Sequence, residues 1–184
     1  MQYHPPFLSL QNQNDLMLQI YTGNGKGKTT AAIGLAIRYL GHNKRVCLIQ
    51  FMKKNIKYGE IVFLNKIENI DVFQFGTPEF VDKKNPKPID IKEAEKGIKK
   101  AKEVLSSQRY DLIILDELNV ALDFKLLELT KVLSLLDDVK DQEVVITGRY
   151  APPELIERAD LVTEIRETKH YYQKGIGARE GTEY

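Results

Sequence analysis

The stretch YTGNGKGKTT, residues 21–30, decides what kind of fold this chain adopts. It follows a short run of apolar and β-branched residues, 16–22, which predicts a strand. It leads directly into good helix formers, which predict a helix over residues 28–41. Glycines between a strand and a helix let backbone N–H groups turn inward at the positive end of the helix dipole. The stretch therefore predicts a phosphate-binding loop.

The loop is a variant of the usual pattern G-x-x-x-x-G-K-[ST]. Gly27, Lys28 and Thr29 fit its end, but Thr22 stands where the first glycine belongs, and Gly23 lies one residue too near to Gly27. Lys28 would supply a positive charge to a nucleotide polyphosphate, and the Thr29 hydroxyl could reach a magnesium ion. The alternative is a glycine-rich turn with solvated lysines.

Outside the loop, apolar strand-like runs alternate with amphipathic helical patterns. This alternation predicts an α/β fold, with a mainly parallel sheet of about six strands flanked by helices, in a P-loop NTPase (RecA-like) architecture. Asp90 is the predicted N-cap of the second long helix. The further strands are predicted at 45–51, 69–75, 110–118, 142–149 and 160–167, and the further helices at 89–108, 123–138 and 152–159.

Composition limits the classes of protein to consider. The 184 residues, 42% hydrophobic and 29% charged, predict a single domain over residues 16–184 after an arm, 1–15, that is rich in Pro, Gln and Asn. A net charge of +1 gives no field that would attract nucleic acid. The single cysteine, Cys47, rules out an internal disulfide and a cysteine-cluster metal site. Without a long apolar run or a signal-peptide pattern, the sequence predicts a cytoplasmic protein without a membrane span.

Two carboxylates, Asp116 and Glu117, stand at the end of the strand predicted over residues 110–118. In a parallel sheet this end shares one edge with the glycine loop, so the pair is predicted to hold Mg²⁺ beside the phosphates. The alternative is a pair that caps the next helix. A guanine-reading N-K-x-D stretch is absent, which favours ATP over GTP. The residues identify neither a hydrolase's water-positioning group nor a kinase's acceptor site.

The chain resembles the P-loop type of ATP-dependent corrinoid (cob(I)alamin) adenosyltransferases. The resemblance extends in order from about residue 21 to residue 184. It is carried by YTGNGKGKTTAAIGLAIRYLGH, LIQFMK, YGE, LIILDEL, VVITGR, ADLVTEIRETKH and KGIGAREGTEY.

The resemblance implies that a Co(I) corrinoid attacks the 5′ carbon of ATP and that triphosphate leaves. It also implies Mg²⁺, an electron-donor reductase and a homodimer. The metal contacts would be Thr29 and Glu117, with Asp116 beside them, and Lys26 and Lys28 would stabilise the leaving triphosphate. The residues predicted to bind ATP are Gly23, Asn24, Gly25, Lys26, Gly27, Lys28, Thr29, Thr30 and Arg149.

The corrinoid side of the site is predicted less directly. Related chains often carry G-F-T-W where this chain has GTPEFVDKKNP, and this chain has no tryptophan. Phe80 is therefore the predicted residue against the cobalt face, with a core-packing phenylalanine as the alternative. Lys53, Lys54 and Glu60 would either meet the corrin amides or be solvated.

Other interpretations stay open at this stage. Arg149 could form a surface salt bridge instead of meeting the nucleotide. His170 is expected to make a structural hydrogen bond and not to ligate cobalt, because a strong axial ligand would oppose Co(I). A P-loop ATPase or small-molecule kinase, and a non-enzymatic sensor of nucleotide or corrinoid, are the rival functions. Whether the substrate is cobalamin or a precursor is left open.

Overall fold

The computed structural model describes residues 17–54, 57–137 and 141–184, so the predicted arm, 1–15, lies outside the described residues. Neighbouring strands pair in parallel throughout one sheet, in the order β3-β2-β4-β5-β1-β6. The predicted α/β class, with six strands flanked by helices, is confirmed. The strands are Met17–Thr22 (β1), Val46–Phe51 (β2), Ile70–Phe75 (β3), Leu112–Asp116 (β4), Glu143–Thr147 (β5) and Leu161–Glu164 (β6).

Helices cover both faces of this sheet. The first two helices pack on one face, around a cluster that contains Ala32, Ala36 and Ile61, and the other four pack on the opposite face. Strands β2 and β4 are buried along their whole length, which explains their continuous apolar sequences. The helices are Lys28–Gly41 (α1), Gly59–Leu64 (α2), Pro88–Ser106 (α3), Leu118–Asp123 (α4), Leu129–Asp137 (α5) and Pro153–Arg158 (α6), and a 3-10 helix spans Tyr171–Lys174.

The structure corrects two predictions about helices. The segment predicted as one helix over 123–138 contains the end of α4 and then α5, with a turn between them that buries Leu126 and Leu127. Asp90 is not the N-cap of α3. The cap is Lys87, and the Asp90 side chain accepts a hydrogen bond from the Lys87 backbone N–H at 2.9 Å. Within the described residues, no helix has the length and apolar character needed to cross a membrane.

The strand order places the polar residues that follow the strands at one edge of the sheet. The glycine loop follows β1, and β5 separates β1 from β4, which ends in Asp116. Thr147 at the end of β5 therefore lies between the loop and the carboxylates. This edge, the carboxyl end of a parallel sheet, is where ligands bind in open α/β folds.

Candidate active site

The glycine loop is shaped by a segment that follows β6, much later in the chain. The Gly25 N–H donates to the Ile165 carbonyl at 2.8 Å, and the Asn24 side-chain oxygen accepts from the Glu167 N–H at 3.0 Å. A Cβ on Gly23 would lie 2.4 Å from the Ile165 carbonyl oxygen, and one on Gly25 would lie 2.8 Å from it. These two glycines are therefore required for close backbone approach as well as for the shape of the turn.

A cavity of about 880 Å³ opens at the carboxyl edge of the sheet, between this loop and the loop after β3. Its size is within the range of small-molecule sites. Six consecutive residues, Gly25 to Thr30, lie in its wall, whereas Gly23 and Asn24 do not. The rest of the wall includes Lys53, Tyr58, Glu60, Phe80, Glu117, Arg149, His170 and residues 181–184.

The two loop lysines differ in their surroundings. Lys28 is 8% exposed, and its ammonium donates to the Gly25 carbonyl at 2.6 Å. Burial lowers the pKa of Lys28, opposed by the charge of Glu117 and assisted by that of Arg149. Lys26 is exposed, and its ammonium donates to the Thr182 carbonyl at 2.6 Å. Both ammonium groups are thus held at the loop, beside the start of α1, where a polyphosphate would gain most from them.

Asp116 is fully buried and accepts four hydrogen bonds. Its Oδ1 accepts from the hydroxyls of Thr29 and Thr147, both at 2.7 Å. Its Oδ2 accepts from Gln50 at 3.0 Å and from the Lys53 ammonium at 2.8 Å. Burial alone would raise the pKa of the Asp116 carboxyl, but the Lys53 charge and these hydrogen bonds lower it below its usual value. Asp116 is therefore ionised and already well supplied with donors.

Lys53 lies among the three residues predicted to hold magnesium. Its ammonium is 2.8 Å from Asp116, 4.0 Å from the Glu117 carboxylate and 3.4 Å from the Thr29 hydroxyl. Burial opposes its charge, but Asp116 and Glu117 raise its pKa. The sequence analysis expected Lys53 either to meet the corrin amides or to be solvated. It did not predict this ion pair with Asp116. Lys54, the next residue, is exposed.

Glu117 follows β4 directly and has a left-handed backbone, with φ of 61°. Its N–H donates to the Thr147 hydroxyl at 3.0 Å, and its side chain lines the cavity. Burial and the nearby Asp116 charge raise the pKa of Glu117, against the lowering effect of Lys53. Conformations of this kind in residues other than glycine cluster at functional sites.

The donor set at this edge fits a magnesium ion held largely through phosphates and water. The Thr29 hydroxyl donates its hydrogen bond to Asp116 and accepts a long one, 3.4 Å, from Lys53, which leaves one lone pair of its oxygen for a metal ion. The Glu117 carboxylate lies in the same wall. No group of three or more His, Cys, Asp or Glu side chains suited to a metal occurs among the described residues. Mg²⁺ usually needs only one or two protein carboxylates when substrate phosphates supply further oxygens.

Phe80 and Arg149 both reach the cavity from loops that follow strands. The Phe80 side chain is fully exposed in the loop after β3 and lines the cavity, so it does not pack in the core. Arg149 follows Gly148, whose carbonyl accepts from the Asn119 amide at 3.3 Å. Asn119 itself is fully buried, and it thereby fixes the turn from which Arg149 extends.

The last part of the described chain contributes residues that the sequence patterns did not indicate. Residues 181–184 and Tyr58 lie in the cavity wall. His170 also reaches this wall, where its Nδ1 accepts from the Tyr172 N–H at 3.1 Å. The expected structural hydrogen bond of His170 is confirmed. The only sequence signal for residues 181–184 was the resemblance of the string KGIGAREGTEY.

Comparisons with known proteins agree with the resemblance. A model of the family described as ATP:corrinoid adenosyltransferase BtuR/CobO/CobP matches residues 14–184. A corrinoid adenosyltransferase of Sinorhizobium sp. is 37% identical over 172 residues, covering 91% of this chain and 80% of the relative. One of Pseudomonas aeruginosa is 37% identical over 172 residues, covering 91% and 83%. One of Escherichia coli (strain K12) is 36% identical over 167 residues, covering 90% and 84%.

Proposed function

Because the chain belongs to the ATP:corrinoid adenosyltransferase family, we propose that it transfers the 5′-deoxyadenosyl group of ATP to the cobalt of a Co(I) corrinoid. The cobalt electron pair forms the bond to the 5′ carbon as the bond from that carbon to oxygen breaks. The electrons of the broken bond leave on inorganic triphosphate. Since cobalt is the nucleophile, the protein needs no attacking side chain of its own.

One observation carries this proposal: a single cavity is lined both by residues 25–30 of the phosphate loop and by the exposed Phe80. The loop offers two ammonium groups and the start of α1 to a group that gains charge as it leaves. Phe80 offers an apolar surface to a large, flat partner. A phosphate site with an apolar wall suits ATP together with a corrinoid better than it suits a second phosphorylated molecule.

We further propose that Thr29 and Glu117 contact Mg²⁺ and that Asp116 orients the Thr29 hydroxyl. Mg²⁺ bound there would neutralise part of the triphosphate charge. Lys26 and Lys28 stabilise the rest, and Arg149 contacts the nucleotide from the opposite loop. Phe80 excludes water from the cobalt face and thereby favours the Co(I) state.

Several finer assignments belong to the same proposal. The enzyme works in the cytoplasm as a homodimer, and a reductase supplies the electron that generates Co(I). The single nucleotide-binding domain spans residues 16–184.

The test is to identify the products. The protein is incubated with ATP, Mg²⁺ and a chemically reduced corrinoid, and the light-sensitive visible spectrum of an adenosylated corrinoid is followed. Ion chromatography of the quenched mixture should give triphosphate in a one-to-one ratio with that product. Release of ADP in place of triphosphate would instead identify an ATPase, if phosphate appears with it, or a kinase, if the phosphoryl group is found on another molecule. Binding of both molecules without any product would identify a sensor.

A further inference from the structure

Residues 179–184 fold into a compact turn, which we call the C-terminal turn. The N–H groups of Thr182 and Glu183 donate to the Arg179 carbonyl at 3.2 and 2.9 Å. The Gly181 N–H donates to the Tyr184 carbonyl at 2.8 Å, and the Glu183 carboxylate accepts from the Arg179 N–H at 2.6 Å. These bonds define one conformation for the segment.

The C-terminal turn connects two walls of the cavity. On one side, its Thr182 carbonyl accepts the hydrogen bond from the Lys26 ammonium at 2.6 Å. On the other side, the Tyr184 ring lies against the Tyr58 ring just before α2, with 6.4 Å between the ring centres. The Arg179 guanidinium stacks 4.5 Å above the Tyr171 ring and holds the start of the turn. The turn is therefore anchored independently of its contact with Lys26.

The hydrogen bond from Lys26 to the Thr182 carbonyl orients the Lys26 ammonium without neutralising its charge. A lysine ammonium has three N–H donors, and one bond to a neutral carbonyl leaves two for phosphate oxygens. A carboxylate partner would have neutralised the group. Because Lys26 is exposed and has a long flexible stem, fixing it before the substrate arrives reduces the entropy lost on binding.

We propose that the C-terminal turn is a positioning element that holds the Lys26 ammonium toward the triphosphate end of the substrate, an inference that rests on the proposed function. In this arrangement Lys26 contacts the leaving group, and the turn acts through Lys26. Triphosphate binding should therefore depend on Gly181 and Tyr184, which set the shape of the turn, as well as on the residues that touch the nucleotide.

Two glycines, Gly181 in the turn and Gly177 just before it, provide a matched pair of variants. Gly181 has φ of +72°, and a Cβ added to it would meet nothing within 4 Å. The Cβ atom that Gly181→Val introduces therefore meets no neighbour, and the substitution disfavours the left-handed backbone of the turn by about 5- to 30-fold. A Cβ on Gly177 also meets nothing within 4 Å, and its φ is not in the left-handed range. Gly177→Val is thus the control.

The assay is calorimetric titration of the whole protein with inorganic triphosphate and Mg²⁺, without corrinoid. Gly181→Val should weaken triphosphate binding by about 3- to 10-fold relative to Gly177→Val, because Lys26 is no longer pre-oriented. In a Lys26→Met background the same change should alter binding by less than about 2-fold, since the two sites then no longer couple. If Gly181→Val lowers the melting temperature, Tyr184→Ala replaces it, with the exposed Tyr172→Ala as its control.

Three outcomes would overturn the inference. The first is equal triphosphate affinity for Gly181→Val and Gly177→Val. The second is an equal loss of affinity on Gly181→Val with and without Lys26. The third is tighter binding when the turn is disrupted, which would mean that the turn obstructs the site. The titration needs no adenosyl transfer. If the effect of Gly181→Val on triphosphate binding depends on Lys26 but no adenosylated corrinoid is formed, the proposed function is refuted and this inference is not.

Discussion

Replacing Lys53 by methionine removes the ammonium that pairs with a fully buried carboxylate, and it should destabilise the protein strongly. Asp116 is 0% exposed, and the Lys53 side chain is only 21% exposed, so solvent screens their 2.8 Å contact weakly. Removing one partner of a buried ion pair costs about 3–5 kcal/mol in the free energy of unfolding. Because Asp116 keeps its hydrogen bonds from Thr29, Thr147 and Gln50, we expect the lower end, about 3 kcal/mol.

For a chain of this size, about 3 kcal/mol corresponds to a melting temperature lower by about 6–12 °C. The measurement is thermal unfolding by circular dichroism without nucleotide. The control is Lys54→Met, which changes an adjacent exposed lysine and should shift stability by less than about 0.5 kcal/mol. The double variant Lys53→Met with Asp116→Asn should recover part of the loss, because Asp116 then no longer carries an unpaired buried charge. The reasoning is refuted if Lys53→Met and Lys54→Met melt within about 2 °C of each other.

Three further predictions concern the proposed catalytic roles. Lys28→Ala should reduce kcat/KM by about thirty- to a thousandfold, because roughly 2–4 kcal/mol of stabilisation of the leaving triphosphate is lost. Near wild-type kinetics would exclude this role of Lys28. Glu117→Gln should raise the Mg²⁺ concentration needed for half-maximal rate, whereas an unchanged titration would mean that Glu117 does not contact the metal. Phe80→Ala should leave the melting temperature and ATP binding unchanged, because the ring is exposed, yet slow the reaction more from Co(II) with a reductant than from ready-made Co(I). Equal slowing in both assays would mean that Phe80 does not lie against the cobalt face. The control is Phe63→Ala, which changes another exposed phenylalanine.

The sequence predicted those parts of the fold that depend on local pattern. Strand β4 is a continuous apolar run because it is buried on both faces, and a run of that kind can be recognised without knowing its neighbours. The turn after α4 could not be predicted in this way. Its buried leucines, Leu126 and Leu127, fit the helical period of the surrounding segment, and only packing against the rest of the core decides that the chain turns there.

The same limit applies to the site. The phosphate loop and the carboxylates after β4 were recognisable because each is a short motif with fixed spacing. The ion pair between Lys53 and Asp116 joins residues 63 positions apart, and the contact between Lys26 and Thr182 joins residues 156 positions apart. Neither pair has a local signature, since any lysine can reach any oxygen that the fold brings near.

The support that Ile165 gives to Gly25 has a consequence for how the protein is made. The ribosome produces the phosphate loop before the backbone that shapes it, which emerges 140 residues later. At about 5–20 residues per second, that interval is roughly 7–30 seconds. During this time the nascent chain carries the loop without the hydrogen bond that fixes it. Competence to hold a nucleotide is thus acquired only after the segment that follows β6 has been made, and a chain released before β6 would have the motif but not the site.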